Sequence, residues 1–131
     1  MRVLIALALL LAAAPVRAQS CGDAATQADL DACAGAAARK ADAQLNATYA
    51  QIVRRLADDA AKKQLLTTAE LAWIKLRDAE CAFEASGVSG GSAYPMIVSN
   101  CIATMAEQRT NELKTYLNCP EGDLACPVPK A

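Results

Sequence analysis

The sequence predicts an all-α protein, a small antiparallel bundle of three main helices stapled by disulfides. Three observations lead there. Apolar and small residues recur at steps of three and four along three long stretches, the mark of helices with one buried face. No segment alternates with period two, so no strand is expected. Six cysteines, an even number, all lie beyond residue 20 of the 131-residue chain, and a short chain of this kind needs covalent clamps to supplement a modest core.

The first helical stretch opens at Thr26, with Asp29 three residues on as a variant of the capping box. Leu30, Cys33, Ala37, Ala41, Leu45, Tyr49, Ile52 and Leu56 form its apolar stripe, while Arg39, Lys40, Arg54 and Arg55 fall outside it and are expected in water. Gly35 is a point where this stretch either bends or breaks. The second stretch runs from about Asp59 to Ala85, its acidic start suiting a helix N-terminus. Leu66, Ala69, Trp73, Leu76 and Phe83 are assigned to one face, with Glu80 as its polar exception. It ends in Ser86-Gly87-Val88-Ser89-Gly90-Gly91-Ser92, which cannot sustain a helix. The third stretch restarts near Pro95, a residue suited to a first helical turn, and carries Val98, Cys101, Ile102, Met105, Leu113 and Tyr116 on its stripe. Residues 118–131, with Pro120, Pro127 and Pro129, read as a looped appendage.

Ahead of the helices stands a different kind of segment. Arg2, an apolar run from Val3 to Ala14 and the small residues of Pro15-Val16-Arg17-Ala18 form a secretory signal with cleavage after Ala18. The run falls short of the roughly 20 apolar residues that span a bilayer, so no stable membrane insertion is expected after cleavage. Cys21 invites a lipidation reading, but Gln19 fits a lipidation box poorly. The expected organisation is a signal peptide over 1–18, a helical domain over 19–117 and a Cys/Pro-containing tail over 118–131, in the periplasm or outside the cell.

Six cysteines permit 15 pairings. The helix layout favours neighbours: Cys21–Cys33, Cys81–Cys101 and Cys119–Cys126. The second pair clamps the Gly/Ser loop at its base, worth on the order of 3 kcal/mol by chain entropy. Zinc is not expected, because the chain has no histidine and no two cysteines stand two to four residues apart.

Chemistry-bearing constellations are sparse. Without histidine there is neither a Ser-His-Asp nor a Cys-His arrangement. Glu80 and Glu84 lie one turn apart but read as a solvated helix edge, and the glycine-rich loop lacks the Gly-Lys-Ser/Thr ending of a phosphate cradle. No enzyme, cofactor or metal site is expected. With 13 basic and 14 acidic residues there is no basic stripe for nucleic acid. Asp42, Asn46, Arg77, Asp78 and Arg109 sit unusually close to apolar stripes. Together with Trp73 they are expected to form an internal polar network fixing helix register, with Asp42 as the partner of Arg77.

Several of these residues carry a family resemblance. Cys21…Thr26-Gln27…Leu30…Cys33, then Ala41-Asp42…Leu45-Asn46…Tyr49, then Ala72-Trp73-Ile74…Arg77-Asp78-Ala79-Glu80-Cys81 resemble the LprI-like N-terminal domain. So do Gly90-Gly91-Ser92-Ala93-Tyr94-Pro95, Cys101 and Arg109-Thr110…Leu113, so that the likeness spans roughly residues 21–117. This family of exported bacterial proteins is named for a lysozyme inhibitor. The resemblance implies a helical fold with the first two and the next two cysteines paired, and a lysozyme or another envelope protein as partner. Cys119 and Cys126 lie outside the shared pattern. An inhibitor of lysozyme must fill an open cleft containing two carboxylates. The loop of Ser86, Ser89, Gly90, Gly91, Ser92 and Tyr94 is the segment best suited to do so, with Ser89 and Ser92 as donors and Tyr94 as a packing group. The alternative is a non-enzymatic envelope module that binds another protein or a peptidoglycan component.

Overall fold

The computed structural model describes residues 21–130, so the expected signal segment lies outside the described residues. Three helices run up, down and up: α1 (Gln27–Arg55), α2 (Ala60–Glu84) and α3 (Tyr94–Leu117). No strand occurs among the described residues. All three neighbour disulfides are present, with Cα–Cα separations of 5.7 Å for Cys21–Cys33, 5.5 Å for Cys81–Cys101 and 5.7 Å for Cys119–Cys126.

The helix ends follow local chemistry. Thr26 caps α1 in a complete capping box: its hydroxyl accepts from the Asp29 amide at 3.2 Å, and the Asp29 carboxylate accepts from the Thr26 amide at 3.1 Å. Gly35 does not break the helix, which continues through it. Asp59 caps α2 by accepting from the Lys62 amide at 2.9 Å. Pro95 occupies the first turn of α3, where its missing amide hydrogen costs nothing.

The main interface joins α1 to α3, which lie parallel. At one end the Gln27 side chain meets Met96, and at the other Arg55 Nη1 donates to the Leu117 carbonyl at 2.8 Å. Ala34, Ala38, Ala41, Leu45, Thr48 and Ile52 are the buried residues of α1, and Ala103, Ala106, Thr110 and Leu113 stand among those of α3. Both sets advance by alternating steps of three and four, the spacing of a coiled-coil seam. Small side chains dominate, so the two backbones approach closely. Thr48 and Thr110 satisfy their buried hydroxyls on Gln44 and Ala106 carbonyls one turn back, at 3.0 and 2.8 Å.

This corrects the expected stripes at several positions. Ala37 is exposed, and Ala34 and Ala38 are buried instead. On α3 the centre of the seam is Ala103, Ala106 and Thr110, with Val98, Ile102, Met105 and Tyr116 only half-buried beside it. The largest correction concerns α2. Ala69, Leu76 and Phe83 were expected inside with Leu66 and Trp73, but Leu76 is 56% exposed, Phe83 78% exposed, and Ala69 faces water as well. The inward face of α2 is Leu66, Glu70, Trp73, Arg77 and Cys81.

The tail is looped, as expected, but it is more than an appendage. After the Cys119–Cys126 bridge the chain turns back and places Val128, 4% exposed, in the same core as Ile52, Leu56, Ala106 and Leu113.

Candidate functional site

The segment between α2 and α3 begins as a single tight turn, Ala85–Val88. Ala85 is fully buried and anchors the turn, whereas Ser86, Gly87, Ser89, Gly90, Gly91 and Ser92 are exposed. Two successive turns are closed by Gly91 N donating to Val88 O at 2.9 Å and Tyr94 N donating to Gly91 O at 3.2 Å. Gly90 has φ +77°, a left-handed conformation that glycine adopts without steric cost. At Gly91 a Cβ would stand 3.1 Å from the Val88 carbonyl oxygen. The glycines therefore set the path of the loop. Tyr94 is half-buried as the first residue of α3.

Directly behind the loop, the Cys81–Cys101 bridge ties the last turn of α2 to α3. Residues 86–93 carry no charge. The loop thus presents three serine hydroxyls, none with a hydrogen-bond partner of its own among the described residues, on a frame fixed at both ends.

The polar residues expected to form one network fall into two clusters on the inward face of α2, one reaching α1 and the other α3. Arg77, its side chain 14% exposed, donates from Nη1 to Asp42 Oδ1 at 3.2 Å and from Nε and Nη2 to Asp78 Oδ1 at 2.9 and 2.8 Å. Its guanidinium also lies over the Trp73 ring, 5.4 Å from the centroid, a cation–π contact. Asn46 stands beside this cluster but hydrogen-bonds to none of it. Arg109 belongs to the second cluster. It donates to Glu70 through Nε at 3.0 Å and through Nη2, and to Glu112 through Nη1 at 2.7 Å. Burial opposes the Arg109 charge, but the hydrogen bonds it donates to Glu70 and Glu112 outweigh that and raise its pKa above the ordinary arginine value.

Glu70 is the residue that sequence reading missed. It is 9% exposed in the middle of α2, and the only signal for it is its spacing: it lies one turn before Trp73 and two before Arg77, on the same face.

Between α1 and α2 lies a groove of about 350 Å³, walled by Tyr49 and Asn46 on one side and by Thr67, Trp73 and Ile74 on the other. Tyr49 and Thr67 hydroxyls meet across it at 3.1 Å. The two helices are joined here by long polar side chains, not by packed backbones. No group of three or more His, Cys, Asp or Glu side chains suited to a metal ion occurs among the described residues. No helix among them is long and apolar enough to cross a membrane.

Comparison with known proteins agrees with this architecture. A crystal structure of a DUF1311 family protein from Pseudomonas putida KT2440 is similar with a TM-score of 0.63 and 28% identity, over 69% of this chain and 92% of that one. An uncharacterized protein of Rhizobium meliloti (strain 1021) is 40% identical over 128 residues, 86% of this chain and 92% of its own length. The family model described as lysozyme inhibitor LprI matches residues 18–113, which take in all three helices almost to the end of α3, and the chain belongs to that family.

Proposed function

We propose that the protein is an exported, non-catalytic binder of a lysozyme-type muramidase, and that it blocks the enzyme by presenting the Ser86–Tyr94 loop to the substrate cleft. The observation that carries this reading is the loop itself: exposed, uncharged, rich in hydroxyls and clamped by Cys81–Cys101, in a member of a lysozyme-inhibitor family. A lysozyme cleft holds two carboxylates at its reacting centre. Serine hydroxyls are neutral donors for such groups and enter a cleft at a lower desolvation cost than ammonium or guanidinium groups. The clamp removes much of the ordering entropy that a free loop would lose on binding. The expected signal over residues 1–18 and three disulfides, which persist in oxidising compartments, support export.

The test is lysis of a peptidoglycan suspension by several lysozyme classes, with and without the oxidised protein. The expected result is dose-dependent protection near one-to-one stoichiometry, lost in Ser89→Ala/Ser92→Ala/Tyr94→Ala. Protection that survives the triple substitution removes the loop from the mechanism. No protection against any class removes inhibition itself.

The α1–α2 groove favours a second reading, an envelope module that takes a peptidoglycan component. Trp73 and Tyr49 stand there beside Asp42 and Asn46, a mixture of aromatic and polar groups suited to a sugar. It ranks second because Arg77 already satisfies Asp42 and covers the Trp73 ring. Co-sedimentation with purified peptidoglycan in the absence of lysozyme would promote it.

A further inference from the structure

α2 is built with its polarity reversed. Its inward face carries Glu70 and Arg77, while Leu65, Ala69, Ala72, Leu76, Ala79 and Phe83 all lie exposed on the outer side. Those six positions advance by steps of four, three, four, three and four, the spacing of a coiled-coil seam with no second helix on it. Leu65, Leu76 and Phe83 are 71%, 56% and 78% exposed. Burial within one chain does not account for this stripe.

We propose that the outer face of α2 is the interface of a two-fold symmetric dimer, in which α2 of one chain packs antiparallel on α2 of a second copy. Charge selects the partner. α2 has no acidic residue in its first turn and no basic residue in its last, the reverse of what the helix dipole favours. Lys62 and Lys63 stand at its start, Glu80 and Glu84 near its end. Lys62 and Glu80 are five turns apart and share one flank of the stripe. Among the described residues Glu80 has no hydrogen-bond or ion-pair partner, and the Lys62 ammonium has only the half-exposed Asp59 at 3.3 Å.

An antiparallel second copy brings the basic end of each helix to the acidic end of the other. In one register the layers from Leu65 to Leu76 agree. Ala69 and Ala72 face Ala72 and Ala69 of the second copy around the two-fold axis, so the backbones come close. Leu65 meets Leu76 of the second copy on either side of that centre, and Lys62 lies beside its Glu80 at both ends. Lys75 falls opposite the level of Gln64 and Thr68, not opposite another lysine.

The area is sufficient. In that register the Leu65–Leu76 layers overlap over about 17 Å and the two helices over about 30 Å, at 1.5 Å per residue on helices about 10 Å wide, and each Phe83 reaches past the start of the other copy's α2. Roughly 500 Å² per copy gives about 1,000 Å² in all, the lower bound for a specific interface. An interface at that lower bound suits a reversible dimer.

Sedimentation velocity across a concentration series, on oxidised protein recovered from the periplasm, tests this. The expected mass rises from one chain towards two with concentration. Leu76→Lys, at an exposed position that folding does not need, should weaken association at least tenfold with the circular dichroism spectrum unchanged. Lys62→Glu and Glu80→Lys should each weaken it several-fold, although both suit the helix dipole better than the native residues. The double reversal on one chain should restore it to within about twofold. A single-chain mass up to about 1 mM, a dimer indifferent to Leu76→Lys, or a double reversal no better than the singles would each overturn the proposal.

Discussion

Removing Glu70 should cost the fold more than removing any other carboxylate in the chain. Glu70 is the buried acid of α2, and it receives two of the three hydrogen bonds that Arg109 makes. Deleting one member of a buried ion pair typically costs about 3–5 kcal/mol, because the other charge is left without compensation in a poorly solvated place. Two features lower the figure here. Arg109 keeps Glu112 at 2.7 Å, and its side chain is 14% exposed. For Glu70→Ala we therefore expect a loss of about 2–3 kcal/mol. Replacing the pair together, Glu70→Leu with Arg109→Met, removes both desolvation costs and should return stability to within about 1 kcal/mol of the native protein. Urea is the appropriate denaturant, since guanidinium is itself a salt and screens the interaction being measured. Because the folded state raises the Arg109 pKa, its contribution is complete below the unfolded value and fades only as pH climbs through the folded one. The cost should therefore be flat between about pH 6 and 9. A loss below about 1 kcal/mol for Glu70→Ala would refute the reasoning. So would a double variant as unstable as the single one.

Three further outcomes follow from the packing and the caps. Val128→Ala should lower stability by about 1.5 kcal/mol in urea melts, the worth of two buried methyl groups, whereas a detached tail would make it silent. Ala106→Leu, at a position with no exposed surface in the α1–α3 seam, should destabilise by about 1–3 kcal/mol or more through overpacking, while the same change at the exposed Ala43 of α1 should leave the urea midpoint nearly unmoved. The Asp59 carboxyl is held below its ordinary value of 3.8, chiefly by the Lys62 backbone amide it caps. Its stabilising effect is present above that value and is lost as pH falls through the folded one. Asp59→Asn should thus lose ground to the native protein at neutral pH, and the gap should close between about pH 5 and 2.

What the sequence made legible were features with a local cause. The Thr26–Asp29 box, the Asp59 cap and Pro95 in the first turn of α3 each depend on residues a few positions apart, and all stand where local chemistry puts them. Neighbouring cysteines across a helix hairpin are likewise brought together by chain connectivity, and the Asp42–Arg77 pair follows from the antiparallel course of α1 and α2. The seam was harder to see. Apart from Ala41, its centre is Ala34, Ala38, Thr48, Ala103, Ala106 and Thr110, residues too small or too polar to stand out against leucine and phenylalanine. Weight given to side-chain size drew the expected stripes towards Leu76 and Phe83. Their exposure could not be read from periodicity, because a helix with two distinct faces shows the same 3.6-residue repeat whichever face meets the core.

The same reversal explains how the candidate loop is held. α1 and α3 form the rigid pair, joined by closely approaching backbones. α2 meets them through side chains that bear direction: Arg77 on Asp42, Tyr49 on Thr67, Arg109 on Glu70, and finally the Cys81–Cys101 bridge. Apolar packing alone would let α2 slide or roll, since dispersion contacts are nearly indifferent to small rotations. Paired charges and a covalent bond are not, because each has a preferred geometry and a steep cost for leaving it. These contacts therefore set the axial position of α2, and with it the height at which residues 86–94 project. Loosening the Arg77 or Glu70 cluster should accordingly weaken binding through the loop even though neither cluster lies in it, whereas an equally destabilising change at Val128, on the α1–α3 side, should not. Equal losses of binding from Arg77→Met and from Val128→Ala, at matched stability, would show that α2 needs no such positioning.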